Sequence, residues 1–252
     1  MRSKAKCMWC FVAVLALALP ATANTLPDGA GPFTNDANTV VLYHFDTSDG
    51  PTTDASGNGH TLTVNGAGAT HGAGRFDEGY SYNGTDGYLS TPNTTDLGQL
   101  HWGPCSFEAS VKLNNFDADG HVLFMGWGDR ITVTTSHHVM FRIMGSPDFI
   151  ISDDPLSVDT WYHLAVTYDG TTMRAFVNGV EQDTTQAFTP DEYYVGNALH
   201  IGGNDPGGAG YIDGIIDEVR LSSVDRSIPE PATMLLLCGA AAPVLLKRRR
   251  KA

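Results

Sequence analysis

The stretch Asp54-Ala55-Ser56-Gly57-Asn58-Gly59-His60 sets three oxygen-bearing side chains at alternate positions. Asp54, Ser56 and Asn58, followed by Gly59, match the first half of a calcium loop, where alternate oxygen ligands precede a glycine at a sharp turn. The bidentate glutamate that closes a full loop would fall at residue 65, which is Asn65. The same residue types are ordinary turn formers. The stretch therefore admits two readings, a cation site or a turn. A second carboxylate raises a related question. In Gly214-Ile215-Ile216-Asp217-Glu218-Val219-Arg220-Leu221, strand alternation places Ile215, Asp217, Val219 and Leu221 on one face and Ile216, Glu218 and Arg220 on the other. A carboxylate that shares a face with aliphatic residues must be ion-paired, hydrogen-bonded or metal-bound. Backbone N–H groups from a neighbouring loop, or a bulge that turns Asp217 outward, would serve as well as a cation.

Other chemistries leave less trace. The nine histidines show no zinc spacing, and His137 and His138 are adjacent and point to opposite sides of a strand. Phe116-Asp117-Ala118-Asp119-Gly120 and residues 202–208 offer oxygen atoms in tight turns and read first as turn chemistry. Glycoside hydrolysis needs two carboxyl groups about 5–9 Å apart. Asp217 and Glu218 are neighbours, so on a strand they point apart. No nucleophile elbow, phosphate loop or dinucleotide fingerprint occurs. Trp102, Trp127, Tyr193, Tyr194 and Tyr211 fall near turns or strand ends, where aromatic rings can stack on sugars; the same rings serve equally as core.

Short strands must position these residues. Phe107, Ala109, Val111 and Leu113 alternate with Glu108, Ser110 and Lys112, the mark of a half-buried strand. Asp169-Gly170 and Asn178-Gly179 divide 161–185 into a three-stranded meander over about 161–168, 171–178 and 180–185, because both dipeptides tolerate the positive φ of a tight hairpin. Further strands are expected at 39–45, 61–64, 87–91, 121–127, 130–135, 138–144, 198–203 and 214–222, with no helix of useful length between them. The fold class is all-β: an antiparallel two-sheet sandwich or barrel, with short apolar helices outside it at both termini.

The two ends of the 252-residue chain differ from its middle. Arg2, Lys4 and Lys6, an apolar stretch over residues 9–19, and the small residues Ala21 and Ala23 mark 1–23 as a secretory signal peptide cut after Ala23. Residues 24–37 read as a flexible leader, 38–222 as the domain and 223–228 as a linker. The exported body, taken as residues 24–231, keeps seven basic residues against 28 acidic ones, a net charge of −21. Nucleic acid and anionic lipid are poor partners for such a body, and divalent cations good ones. Cys105 is its single cysteine, so it has no internal disulfide. The apolar run 232–246 spans only about 22 Å as a helix, short of a hydrocarbon core of about 30 Å, and ends in the basic run 247–251.

Two resemblances gather these observations. Residues 40–64, 74–90, 106–113, 161–181 and 210–223 resemble, in order, the blocks of laminin-G-like jelly rolls in the concanavalin A-like lectin/glucanase superfamily. That likeness implies two packed antiparallel sheets of jelly-roll topology. It also implies that the first and last strands lie close together, and relatives can carry a structural calcium; Asp54, Ser56, Asn58 and Asp217 are then expected to contribute to one calcium site. Glucanases of this superfamily use a Glu-x-Asp-x-x-Glu pattern, which none of the body's glutamates forms. A non-catalytic glycan-binding, matrix-binding or structural module is therefore expected, with a divergent glycoside hydrolase as the alternative. The C-terminal Pro229-Glu230-Pro231, apolar run and basic end with Arg248, Arg249 and Arg250 resemble the PEP-CTERM sorting signal at 229–252. That resemblance implies an exosortase as processing partner, transient insertion in the inner membrane, and delivery to the cell surface or extracellular matrix, with polysaccharide or matrix protein as partner there.

Overall fold

The computed structural model describes residues 32–48, 50–126, 128–143, 146, 149–190, 198–203 and 210–227. In chain order the strands are β1 (Thr39–Tyr43), β2 (Thr63–Asn65), β3 (Ala69–Ala73), β4 (Glu78–Asn83) and β5 (Tyr88–Ser90). A helical turn, α1 (Thr95–Gln99), runs into a 3-10 turn at Leu100–Trp102. Then come β6 (Cys105–Leu113), β7 (Gly120–Met125), β8 (Asp129–Val133), β9 (Val139–Arg142) and β10 (Ile150–Ile151). The last set is β11 (Trp161–Tyr168), β12 (Thr172–Val177), β13 (Val180–Glu181), β14 (Gln186–Ala187), β15 (Leu199–Ile201) and β16 (Asp213–Ser222).

These strands form two antiparallel sheets. The first runs β13-β12-β11-β6-β16-β4-β3, with β1 also on β16 and β14 on β12; the second runs β10-β9-β8-β7-β15-β5-β2. The fold is a β-sandwich of the jelly-roll kind. Alternation explains the layers: Phe107, Ala109, Val111 and Leu113 of β6 face Leu123, Met125, Ile131, Val133, Phe141, Leu199 and Ile201 of the second sheet in one buried core. The expected meander forms at β11 and β12, with Gly170, Asn178 and Gly179 at positive φ in its turns. Its third strand stops early. Between β13 and β14, which rejoins the sheet on β12, Asp183 N–H reaches Asp153 Oδ2 at 2.9 Å and ties the edges of the two sheets together. The short β3, β4 and β10 lie outside the strand runs expected from alternation; Gly72, Gly74 and Gly79 blur the pattern of the β3–β4 hairpin.

The ordered domain also extends past the expected boundaries of 38–222. Phe33 is only 1 % exposed. Asp36 receives both hydrogen bonds of Arg226 Nη2 at 2.9 Å. The part of the expected leader from residue 33 onward and the part of the expected linker up to residue 227 are thus docked on the first sheet, side by side. The physical reason is charge: β16 and β6 carry a buried Arg220–Glu108 pair on the face away from the core, and that face needs a cover. Among the described residues no helix is long and apolar enough to cross a membrane. The signal-peptide residues Ala21 and Ala23 and the tail residues Pro229, Glu230, Pro231, Arg248, Arg249 and Arg250 lie outside the described residues.

Candidate functional site

The loop at 54–60 is built by its own side chains. Asp54 Oδ1 accepts N–H groups from Leu42 at 3.1 Å and Ser56 at 3.0 Å, and Oδ2 accepts that of His60 at 3.0 Å. Ser56 Oγ donates to Val40 O at 3.0 Å, and Asn58 Nδ2 donates to Thr39 O and Val40 O, both at 3.0 Å. The loop is laced onto β1. Asp217 is also held by backbone. Its Oδ2 accepts the N–H groups of Arg75 at 2.8 Å and Phe76 at 2.9 Å, and its Oδ1 that of Glu218 at 2.7 Å. Burial pushes the Asp217 carboxyl up to about 7; the donated N–H bonds oppose this and the neighbouring Glu218 adds to it.

The strand that carries Asp217 departs from simple alternation. The β16–β6 register shifts between Asp217 and Arg220, and Glu218 takes a φ of 50°. This bulge places Ile216, Val219 and Leu221 in the core, whereas Ile215 is only half-buried. The expected common face of Ile215, Asp217, Val219 and Leu221 is therefore broken. Asp54 and Asp217 are thus each held by three backbone N–H groups, the hydrogen-bonded arrangement the sequence left open beside a cation. Among the described residues no group of three or more His, Cys, Asp or Glu side chains is arranged to hold a metal.

The acidic residues nearest to a hydrolase-like pair are sealed. Glu218 is fully buried; its Oε1 lies 2.8 Å from His44 Nδ1, and its Oε2 accepts Phe33 N–H at 2.7 Å. Glu108 Oε2 takes Arg220 Nε at 2.9 Å and Nη2 at 2.7 Å, and His163 Nε2 stands 3.4 Å from Oε1. Burial would raise the Glu108 carboxyl, but Arg220, then His163, hold it below the usual range. The Phe33 ring lies 4.2 Å from the Arg220 guanidinium carbon and closes this face.

An open cleft of about 210 Å³ lies where β4 ends, β16 begins and the 114–119 loop passes between sheets. Asn83, Asn115, Asp117, Tyr211 and Asp213 line it. Asp213 is fixed by Asn114 Nδ2 at 2.7 Å and Asn115 Nδ2 at 2.6 Å, one on each carboxylate oxygen. Asn115 Oδ1 in turn accepts Asp117 N–H at 3.1 Å, leaving the Asp117 carboxylate exposed at the rim. Tyr211 is half-buried, its ring 6.3 Å from that of Tyr88. Gly203 makes room for it, since a Cβ there would sit 2.7 Å from the Tyr211 ring. Of the aromatic residues singled out for sugar stacking, Tyr211 is in this cleft. Trp102 is on the 3-10 turn, 45 % exposed and 6.3 Å from the His101 ring. Trp127, Tyr193 and Tyr194 lie outside the described residues.

The solvent face of the second sheet holds residues that sequence reasoning passed over. Opposite the core positions of β7, β8 and β9 stand Phe124, Arg130 and Arg142; Arg130 pairs across strands with both others. The Phe149 ring lies 4.7 Å from the Arg130 guanidinium carbon and 5.2 Å from that of Arg142. The sequence signal was slight: two of the seven body arginines and lysines, 12 residues apart, which only strand pairing brings together.

A family model described as the concanavalin A-like lectin/glucanases superfamily matches residues 83–230. No curated protein matches the chain significantly. Among solved structures, domain 4 of the GH43 extracellular arabinanase AbnA from Geobacillus stearothermophilus, in complex with arabinotriose, is similar at 19 % identity and a TM-score of 0.55, over 75 % of this chain and 93 % of that one. A Trypanosoma rangeli sialidase mutant displaying trans-sialidase activity is similar at 15 % identity and a TM-score of 0.58, but the match covers only 32 % of it against 77 % of this chain. The botulinum neurotoxin serotype D binding domain is similar at 13 % identity and a TM-score of 0.59, over 75 % of this chain and 49 % of that one. At these identities the likeness is one of fold.

Proposed function

The chain belongs to the concanavalin A-like lectin/glucanases superfamily, and from that premise we propose that its sandwich is a non-catalytic module that binds glycan in an extracellular matrix. One observation carries this reading: the open cleft in which the Tyr211 ring stands beside Asp117, Asn83 and Asn115. A half-exposed phenol supplies an apolar face for a pyranose or furanose ring, and carboxylate and carboxamide groups match sugar hydroxyls. The arabinotriose complex of the arabinanase domain, which matches this chain over almost its whole length, supports a sugar as the ligand class. The sealed positions of Glu108 and Glu218 support binding without turnover, since a hydrolytic pair must meet its substrate.

Export completes the proposal. The signal peptide at 1–23 delivers the body outside the inner membrane, and the tail at 229–252 is an exosortase substrate that places it at the cell surface or in the matrix. Mass spectrometry of the protein recovered from its producing cells is expected to find a C-terminus near Pro229-Glu230-Pro231; an intact Ala252 would refute processing. Glycan-array binding tests the cleft. Binding is expected to fall about tenfold or more in Tyr211→Ala with no sugar released. Release of reducing ends from a β-glucan, abolished by Glu218→Gln, would establish the hydrolase reading instead.

A further inference from the structure

The second sheet carries a pair of arginines that no carboxylate among the described residues neutralises. Each of the other body arginines has a visible task. Arg174 pairs with Asp169 at 2.7 Å, Arg220 with Glu108 at 2.7 Å and Arg226 with Asp36 at 2.9 Å. Arg75 reaches Ser110 Oγ at 3.2 Å. Arg130 and Arg142 are different. They are direct cross-strand partners, which sets two like charges together at a separation where they repel. No ion pair joins either to a carboxylate among the described residues. Arg142 donates from Nε and Nη2 to the Ser146 carbonyl, at 3.3 and 3.2 Å, and Arg130 Nε is buried with no hydrogen-bond partner. Both side chains remain partly exposed beside the half-buried Phe149 and Phe124.

This arrangement is costly in a body of net charge −21, where 28 acidic residues were at hand to relieve it. We infer that Arg130, Arg142 and Phe149 form a binding site for the anionic group of an acidic polysaccharide, a carboxylate or a sulfate. The two guanidinium groups supply forked donors that match a planar or tetrahedral anion, and Phe149 supplies the apolar floor beneath the sugar ring that carries it. The body's overall charge does not forbid this, because charges farther away than about 8 Å are screened at physiological salt while contact pairs are not. The site shares no lining residue with the Tyr211 cleft, so it does not depend on that cleft being a sugar site.

The test uses the full chain in mild detergent. Titration calorimetry with polygalacturonate is compared with its fully methyl-esterified form, which keeps the sugar stereochemistry and loses the charge; heparin serves as the sulfated arm. Binding of polygalacturonate or heparin is expected, with the ester at least about tenfold weaker, and the ratio between the two anions identifies the preferred group. Arg130→Gln and Arg142→Gln are each expected to lose about tenfold, and Arg142→Lys to recover part of it; Arg174→Gln, which removes the same unit of charge elsewhere, and Tyr211→Ala are expected to leave anion binding unchanged. Thermal melts confirm that each variant is folded. Absence of binding to both anions, equal binding to acid and ester, or equal losses in Arg174→Gln and Arg142→Gln would overturn the inference. Asp148, adjacent to Phe149 in sequence, provides an internal check. Asp148→Asn is expected to leave anion affinity unchanged or raise it, and a loss would also overturn the assignment. Neutral-glycan binding lost in Tyr211→Ala, with no anion binding, would leave the cleft reading standing while this one fails.

Discussion

Replacing Phe33 by alanine removes a ring from a site where three physical terms meet. Phe33 is 1 % exposed, packs with Leu42 and Ala55, and meets His163 edge-on at 5.8 Å. Its ring stacks on the Arg220 guanidinium at 4.2 Å. Truncation of a buried phenylalanine costs about 3–5 kcal/mol. Here the lower end applies, because the ring covers the outer face of a sheet and water can enter where it stood, re-solvating the Arg220–Glu108 pair. A loss of about 3 kcal/mol lowers the melting temperature of a domain of this size by about 6–12 °C. Phe33→Leu retains most of the apolar burial and loses the stacking, so it should cost about 1–2 kcal/mol. Urea and thermal unfolding of the full chain, followed by tryptophan fluorescence, measure both values. A Phe33→Ala loss under about 1 kcal/mol would refute the argument and return residues 33–37 to the status of a leader.

Asp217 should make the fold less stable as pH rises. Its carboxyl sits near pH 7 in the folded chain against an ordinary 3.8, so the folded state binds the extra proton between those values; stability is greatest near pH 4, declines through pH 7 and then levels off, by an upper bound of about 4 kcal/mol. Melts of wild type and Asp217→Asn from pH 4 to 8 isolate this effect, and parallel curves would contradict it. Gly214→Ala is expected to destabilise by about 1–3 kcal/mol, because the added Cβ would lie 2.4 Å from the Lys112 carbonyl oxygen across β16 and β6; an unchanged urea midpoint would show that the strands can part. Chelation of calcium is expected to leave the melting temperature unchanged, since Asp54 and Asp217 are each held by backbone N–H; a chelator-dependent drop, abolished in Asp54→Asn, would establish the shared calcium site.

The strand pattern of this chain determined more than its fold class. Alternation in β6 and the Asp169-Gly170 and Asn178-Gly179 turns specified which residues enter the core and how β11 and β12 pair, because side-chain period and turn conformation are local properties. Tyr211 was legible as a residue near a strand start, and Asp54 as the hub of a tight loop. Tertiary structure decided the rest. How Asp54 and Asp217 are hydrogen-bonded depended on where backbone N–H groups from residues 42, 60, 75 and 76 arrive, and those donors are distant in sequence or carry no side-chain signature. One extra residue in the β16 bulge reversed the facing of Ile215 and Ile216, since a period of two has no tolerance for an insertion. Arg130 and Arg142 are unremarkable in sequence and become neighbours only through the register of β8 and β9. Phe33 had the composition of a leader around it, and only the buried charge it covers made it part of the domain.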